Sequence, residues 1–210
     1  MSIVVNNIFY SIQGESTHAG RPCVLVRLTG CNLRCSYCDT RYAYEDGREM
    51  EIDNIIDTVA AYGCSLVEIT GGEPLLQAET PDLVLKLLES KYEVLLETNG
   101  SKDISSLDDR CAKIVDFKSP SSGMSEKNDL ENIARLSSGD EVKFVIANRS
   151  DYEFARKLVR TTGLHKLANC PVHFSPVFGK QDPGVLADWI LNDRLDVRLH
   201  VQLHKFINFP

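Results

Sequence analysis

Residues 31–38 read CNLRCSYC, so Cys31, Cys35 and Cys38 place three thiols within eight residues of a chain that has seven cysteines in all. Thiolates at such short spacing are soft ligands, suited to zinc or to an iron–sulfur cluster. A closed zinc site needs a fourth Cys or His at similar spacing or in a second paired cluster, and a ferredoxin-type electron carrier uses four thiolates per cluster. Neither is provided: no second CxxC occurs, and the nearest histidine, His18, stands ahead of the first predicted strand. Three thiolates on a four-iron cluster leave one iron open, and an open position is where a metal site binds something else and does chemistry. A catalytic cluster is therefore preferred to structural zinc. Cys23, Cys64, Cys111 and Cys170 stand singly among apolar neighbours and read as small buried hydrophobes.

The elements that must position this triad alternate. CVLVRL (23–28) is a short β-rich run, IDNIIDTVAAYG has helical spacing, SLVEIT is strand-like, and TPDLVLKLLESK opens with Thr80 as N-cap and Pro81 at the first helical position. The alternation continues through YEVLLET, a connector without clear periodicity, AKIVDFK, the helical DLENIARL, EVKFVIA, the helical DYEFARKLVRTTG, VHFSPV and the helical GVLADWILN. It closes with LDVRLHVQLH, whose strict alternation predicts an edge strand. Six such pairs and a last strand fall short of the eight in a closed barrel, so the fold expected is α/β: an incomplete, open (β/α)6-type barrel with an additional C-terminal strand, ahead of an open doubly wound sheet. No linker or repeat divides residues 1–210, which are taken as one domain. The cysteines, TGGEP (70–74), ETNG (97–100), DFKSP (116–120) and FSPVFG (174–179) all fall at C-terminal strand ends, the edge where parallel α/β folds bind ligands.

Composition excludes several classes. Apolar residues at 43% and charged residues at 25% are ordinary globular values. A net charge of −7 leaves no footprint for wrapping nucleic acid. There is no basic, then apolar, leader and no run of 18 apolar residues, so neither export nor a membrane is expected. Crowded, unpaired thiols fit a reducing cytoplasm.

The CxxxCxxC spacing, with Tyr37 just before the last cysteine, resembles the signature of the radical S-adenosylmethionine superfamily. That resemblance implies a [4Fe-4S] cluster on Cys31, Cys35 and Cys38, with the amino and carboxylate groups of S-adenosylmethionine on the open iron. One electron then breaks the carbon–sulfur bond and yields a 5′-deoxyadenosyl radical. TGGEP resembles the glycine-rich stretch that meets the methionine amino group, with Gly72 letting backbone approach the ligand and Glu73 adding an acceptor. By the same resemblance Tyr37, Cys38, Asp39, Lys118, Ser119, Ser175, Pro176 and Val177 contact S-adenosylmethionine.

Within the superfamily, FYSIQGES (9–16), the run RPCVLVRLTGCNLRCSYCDT and the ending VQLHKFINFP are similar to the 7-carboxy-7-deazaguanine synthase family of 7-deazapurine (queuosine precursor) biosynthesis. The resemblance implies ring contraction of 6-carboxy-5,6,7,8-tetrahydropterin with loss of ammonia, begun by hydrogen abstraction at C6. It also implies Mg²⁺ on the Thr40 hydroxyl and a substrate held by Ile12, Gln13, Gly14, Glu15, Arg27, Thr70 and the carboxylate of Pro210. No residue is assigned as a catalytic acid or base. A homodimer and a flavodoxin-type reductant are expected on the same ground. The alternative is the activating enzyme of a glycyl-radical protein, of the anaerobic ribonucleotide reductase type, which would act on a protein.

Replacing Cys31, Cys35 or Cys38 by Ala is expected to abolish reductive cleavage of S-adenosylmethionine and to lower reconstituted iron, while Cys64→Ala preserves both. Iron per chain and 5′-deoxyadenosine measured by chromatography decide it.

Overall fold

The computed structural model describes residues 1–208, apart from the side chain of His165. Its strands are β1 (Ser2–Ile12), β2 (Pro22–Leu28), β3 (Arg48–Glu51), β4 (Leu66–Gly71) and β5 (Glu93–Thr98), followed by β6 (Ala112–Asp116), β7 (Glu141–Ile146), β8 (Val172–Pro176) and β9 (Arg198–Leu199). Its helices are α1 (Ile52–Ala60), α2 (Thr80–Glu89), α3 (Asn132–Arg135), α4 (Arg149–Thr162), α5 (Pro183–Asn192) and α6 (Leu203–Ile207). The strands form one sheet in the order β3-β1-β2-β4-β5-β6-β7-β8-β9. From β2 through β9 every neighbouring pair is parallel, and β1 runs antiparallel to both β2 and β3. The sheet does not close, as expected for an open α/β barrel.

Side-chain alternation sorts each parallel strand into a helix-facing and a cleft-facing set. On the helix side, Val24, Val26, Val67, Ile69, Val94 and Leu96 pack with Ile52, Ile55 and Val59 of α1 and with Leu83, Val84 and Leu87 of α2. Spacings of three and four residues put each helical set on one stripe. Farther along, Val142, Phe144, Val172 and Phe174 pack with Tyr152, Ala155 and Val159 of α4 and Leu186 of α5. Helix α4 is bounded by local chemistry: the Asn148 side chain accepts from the Asp151 N–H at 3.1 Å, and Gly163 takes φ +72° past its end. On the other face Cys23, Leu66, Leu95 and Ile114 form an apolar floor. Beyond that floor the same face turns polar, with Arg27, Glu68, Thr70, Glu97, Asp116 and Lys143.

Four sequence expectations are corrected. The segment ahead of CVLVRL is itself the long strand β1, and a bulge between Val5 and Asn7 changes its facing. Ile3, Val5 and Ile8 therefore join the helix-side core, while Asn7 and Phe9 line the cleft. At the other end, only Arg198–Leu199 pairs as a strand, after which His200 N–H reaches Phe174 O and the chain turns into α6. The alternation of 195–204 misleads because Gln202 and Leu203 bond to Glu15 and Gly14 instead of continuing the ladder. The helix predicted in DLENIARL is a single turn. Helix α2 starts at Thr80 itself, whose hydroxyl donates to Pro74 O at 2.6 Å, with Glu79 in the cap position.

Phe144 is fully buried against Phe117 and Phe174, at centroid distances of 6.0 and 5.7 Å. Phe144→Ala is expected to destabilise the fold by about 3–5 kcal/mol, read as a lowered midpoint in anaerobic urea unfolding.

Candidate active site

The loop after β2 carries Cys31, Cys35 and Cys38, all free and half-buried. It is turned by Gly30 at φ +99° and tied by the Cys38 N–H to Cys35 O at 3.2 Å. Against it presses the turn after β4. A Cβ on Gly72 would overlap the Gly30 carbonyl and crowd Cys31, and the Glu73 N–H donates to Gly30 O at 2.7 Å. The glycine thus lets two backbones meet, which sets where the cysteine loop sits.

Glu73 faces inward. It is wholly buried and lies off the cleft wall; its carboxylate accepts from Leu75 N at 3.0 Å, Thr98 Oγ1 at 2.8 Å and Asn99 N at 2.7 Å. Three protein donors thus hold the side chain expected to meet the ligand, two on Oε1 and one on Oε2. Ser175 and Ser119 are also buried away from the cleft: the Ser175 hydroxyl donates to His200 O at 2.7 Å. Pro176 ends β8 in the same buried position, and Val177 next to it does reach the cleft.

Cleft and cysteines share one space of about 1110 Å³. Ile12, Gln13, Gly14, Glu15, Arg27, Tyr37, Asp39, Thr40, Thr70, Gly72 and Lys118 all line it with the three cysteines. Pro210 lies outside the described residues. Near the thiols, Lys118 Nζ pairs with Asp116 Oδ2 at 2.7 Å. Burial works against the lysine's charge, but the neighbouring Asp116 outweighs it and holds the ammonium. Burial pushes the Cys31 and Cys35 thiols up. Tyr37 OH and Asp116 Oδ1, on the wall beside them, are buried with no hydrogen-bond partner. Unpaired polar atoms beside three thiols are what a bulky polar cofactor would satisfy, and the residues fit a cluster with S-adenosylmethionine.

Deeper in the cleft lies a charged group that the sequence reading missed. Lys143 Nζ pairs with Glu15 Oε2 and, at 2.7 Å, with Glu97 Oε1; Glu97 Oε2 accepts from Thr70 Oγ1 at 3.3 Å. Burial acts to raise the Glu15 carboxyl, but the charge of Lys143 and the Gln202 amide bring it down to about 2. Among the described residues Glu68 forms no ion pair and takes the Gln13 amide instead; burial, then the charges of Glu97 and Glu15, push it up to about 8 against the weaker pull of Lys143. The signal for these residues was present: strands covered on both faces read as continuous apolar runs, so Glu68, Glu97, Lys143 and His173 are interruptions marking the cleft face.

Arg27 stands on the same face, one strand over from Thr70. Its guanidinium lies 5.9 Å from the Phe9 ring centroid and 5.8 Å from that of Tyr42, and among the described residues no carboxylate pairs with it. The C-terminal segment closes the mouth: Gln202 Nε2 donates to Glu15 Oε1 at 2.6 Å, the His204 ring packs on Gly14 where a Cβ would collide, and Lys205 pairs with Asp39. Burial lowers the His204 and His200 imidazoles, His200 to about 4.

Comparison with known proteins agrees with this geometry. Residues 25–124 match the Radical SAM superfamily. A 7-carboxy-7-deazaguanine synthase of Koribacter versatilis is 44% identical over 98% of this chain and 97% of its own length. That of Chlorobaculum tepidum is 46% identical over 98% and 94%. The crystal structure of QueE from Escherichia coli superposes with a TM-score of 0.81 at 20% identity, over 97% of this chain and 95% of that one, which speaks for a shared fold. Identity of this level across nearly the full chain, in a protein whose cleft unites the cysteine loop with a buried charged floor, shows that the chain belongs to the 7-carboxy-7-deazaguanine synthase family of the radical SAM superfamily.

Proposed function

We infer that the chain contracts the ring of 6-carboxy-5,6,7,8-tetrahydropterin to give 7-carboxy-7-deazaguanine and ammonia. The observation that carries this reading is Arg27, a cation set near two aromatic rings with no carboxylate partner among the described residues, in the same cleft as the three thiols. It is suited to a substrate carboxylate beside a flat ring. A protein substrate, as in the activating-enzyme reading, would have to enter a mouth that Gln202 and Lys205 strap across.

When bound, the [4Fe-4S] cluster and S-adenosylmethionine supply the radical chemistry, and the protein supplies position and exclusion. Cys31, Cys35 and Cys38 hold the cluster. Lys118 sets a cation beside it for a carboxylate, Tyr37 and Asp39 flank its last cysteine, and Gly72 and Val177 shape the walls. Ser119, Ser175, Pro176 and Glu73 support these walls from behind. Thr40 Oγ1, 3.3 Å from Asp39 Oδ1, offers oxygen to Mg²⁺, which takes few protein ligands and keeps its waters. Ile12, Gln13, Gly14, Glu15 and Thr70 face the pterin. Ionised Glu15 suits the donor edge of the ring, with the Glu97 carboxyl group beside it, while Glu68 keeps a proton at neutral pH. Residues 1–210 work as one domain, in a cytoplasmic homodimer reduced by a flavodoxin-type donor; no helix among the described residues is long and apolar enough to cross a membrane.

Anaerobic incubation of the reduced, reconstituted protein with S-adenosylmethionine, Mg²⁺ and the carboxytetrahydropterin is expected to yield a product lighter by one ammonia. Survival of the pterin while 5′-deoxyadenosine accumulates would sink the substrate assignment. In Arg27→Ala the KM for the pterin rises about 10- to 100-fold, the loss of a charge-assisted bond, while slow substrate-free cleavage of S-adenosylmethionine continues.

Glu68 also makes stability depend on pH. Its folded pKa of about 8 lies above the ordinary glutamate value of 4.5, so the native state keeps a proton that the unfolded chain releases. Its contribution is complete below the unfolded pKa and is lost as pH rises through the folded one. Urea midpoints are expected to fall between about pH 5 and pH 8.5, and to fall less in Glu68→Gln.

A further inference from the structure

We propose that Asn99 sets the reduction potential of the cluster by donating a hydrogen bond to the thiolate of Cys31, a role that rests on the cluster assignment above. Asn99 belongs to ETNG at the end of β5, and its side chain has no task in the ring contraction as read above. It is 6% exposed, on the wall of the cleft beside the thiols. Its Nδ2 lies 3.8 Å from Cys31 Sγ and 3.1 Å from Asn32 Oδ1. Its Oδ1 accepts from the Ser101 N–H at 3.0 Å, and its own backbone N–H donates to Glu73 Oε2.

These contacts fix which end of the amide meets the sulfur. Rotating the amide by half a turn would set its oxygen against Asn32 Oδ1 and the thiolate, and its NH₂ against the Ser101 N–H, so both sides would lose a bond. Asn32 is itself held, with Nδ2 donating to Ser101 Oγ at 2.8 Å. The donor is thus preorganised by the loops after β2 and β5 together. An N–H aimed at a ligating sulfur draws electron density from it and stabilises the added electron of the reduced cluster; hydrogen bonds to the sulfurs are among the factors that set such potentials. Asn99 would be a positioning residue, acting on the cluster through Cys31.

The test uses Asn99→Asp and Asn99→Ala in the full chain, reconstituted anaerobically, with the cluster potential followed by electron paramagnetic resonance during a redox titration. The aspartate keeps the backbone bond to Glu73 and the acceptor for Ser101 while replacing the donor at sulfur with a charged oxygen. Both variants are expected to hold about four irons per chain and to titrate at more negative potential than the wild type, Asn99→Asp the more so. Unchanged potentials in loaded variants overturn the proposal. Loss of iron from both, with the far-ultraviolet circular dichroism intact, also overturns it, because Asn99 would then merely hold the loop. A wild-type chain that takes up no cluster at all would instead refute the cofactor reading, which this comparison keeps separate.

Discussion

The carboxylate of Glu73 is withdrawn from water and held by donors from its own turn and from the end of β5. Burying a carboxylate is costly unless each oxygen is bonded, and here Oε1 takes two donors and Oε2 one. Burial still raises its pKa above the usual range, the three bonds pulling the other way. The interaction fixes the turn after β4 relative to β5. Gly72 is thereby pressed onto Gly30, and the cysteine loop can occupy one place only. Without that contact the thiols, the Asn99 amide and the Lys118 cation would have no common frame.

A second constraint is charge balance on the cleft floor. Three carboxylates, Glu15, Glu68 and Glu97, share one close cation, Lys143. Breaking a buried pair by removing one partner costs about 3–5 kcal/mol, whereas a protonated carboxyl needs no counter-ion. The lysine settles on the two acids it touches, and the third keeps its proton. A floor that holds a protonated Glu68 beside an ionised Glu15 offers both donor and acceptor groups to a heterocycle.

The parallel strands and their order along the chain were legible because apolar runs and helical stripes are local properties of the sequence. The cysteine triad was legible too, since its spacing leaves few alternatives. What escaped were relations between distant segments. The bonds from Thr98 and Asn99 to the Glu73 carboxylate were not readable, because nothing local brings the turn after β4 to the end of β5. Residues 195–204 were read as a strand because alternation is a strand signal, yet Gln202 finds its partner in Glu15, 187 positions away. Strand β1 went unrecognised because its bulge breaks the period of two halfway along. Lys143 and Glu97 were visible as oddities in buried strands, but their pairing required the sheet order.

The strap across the mouth bears on how the protein is made. Lys205 meets Asp39 across 166 positions of sequence, so a ribosome at about 5–20 residues per second finishes the cysteine loop roughly 8–35 s before the segment that covers it emerges. Through that interval the three thiols stand at an open edge, reachable by whatever delivers iron and sulfide. Covering the mouth is also the longest-range closure described here, and long-range contacts form late. Metal delivery and folding are thus ordered by the position of one lysine in the chain: access comes first, and the cover follows.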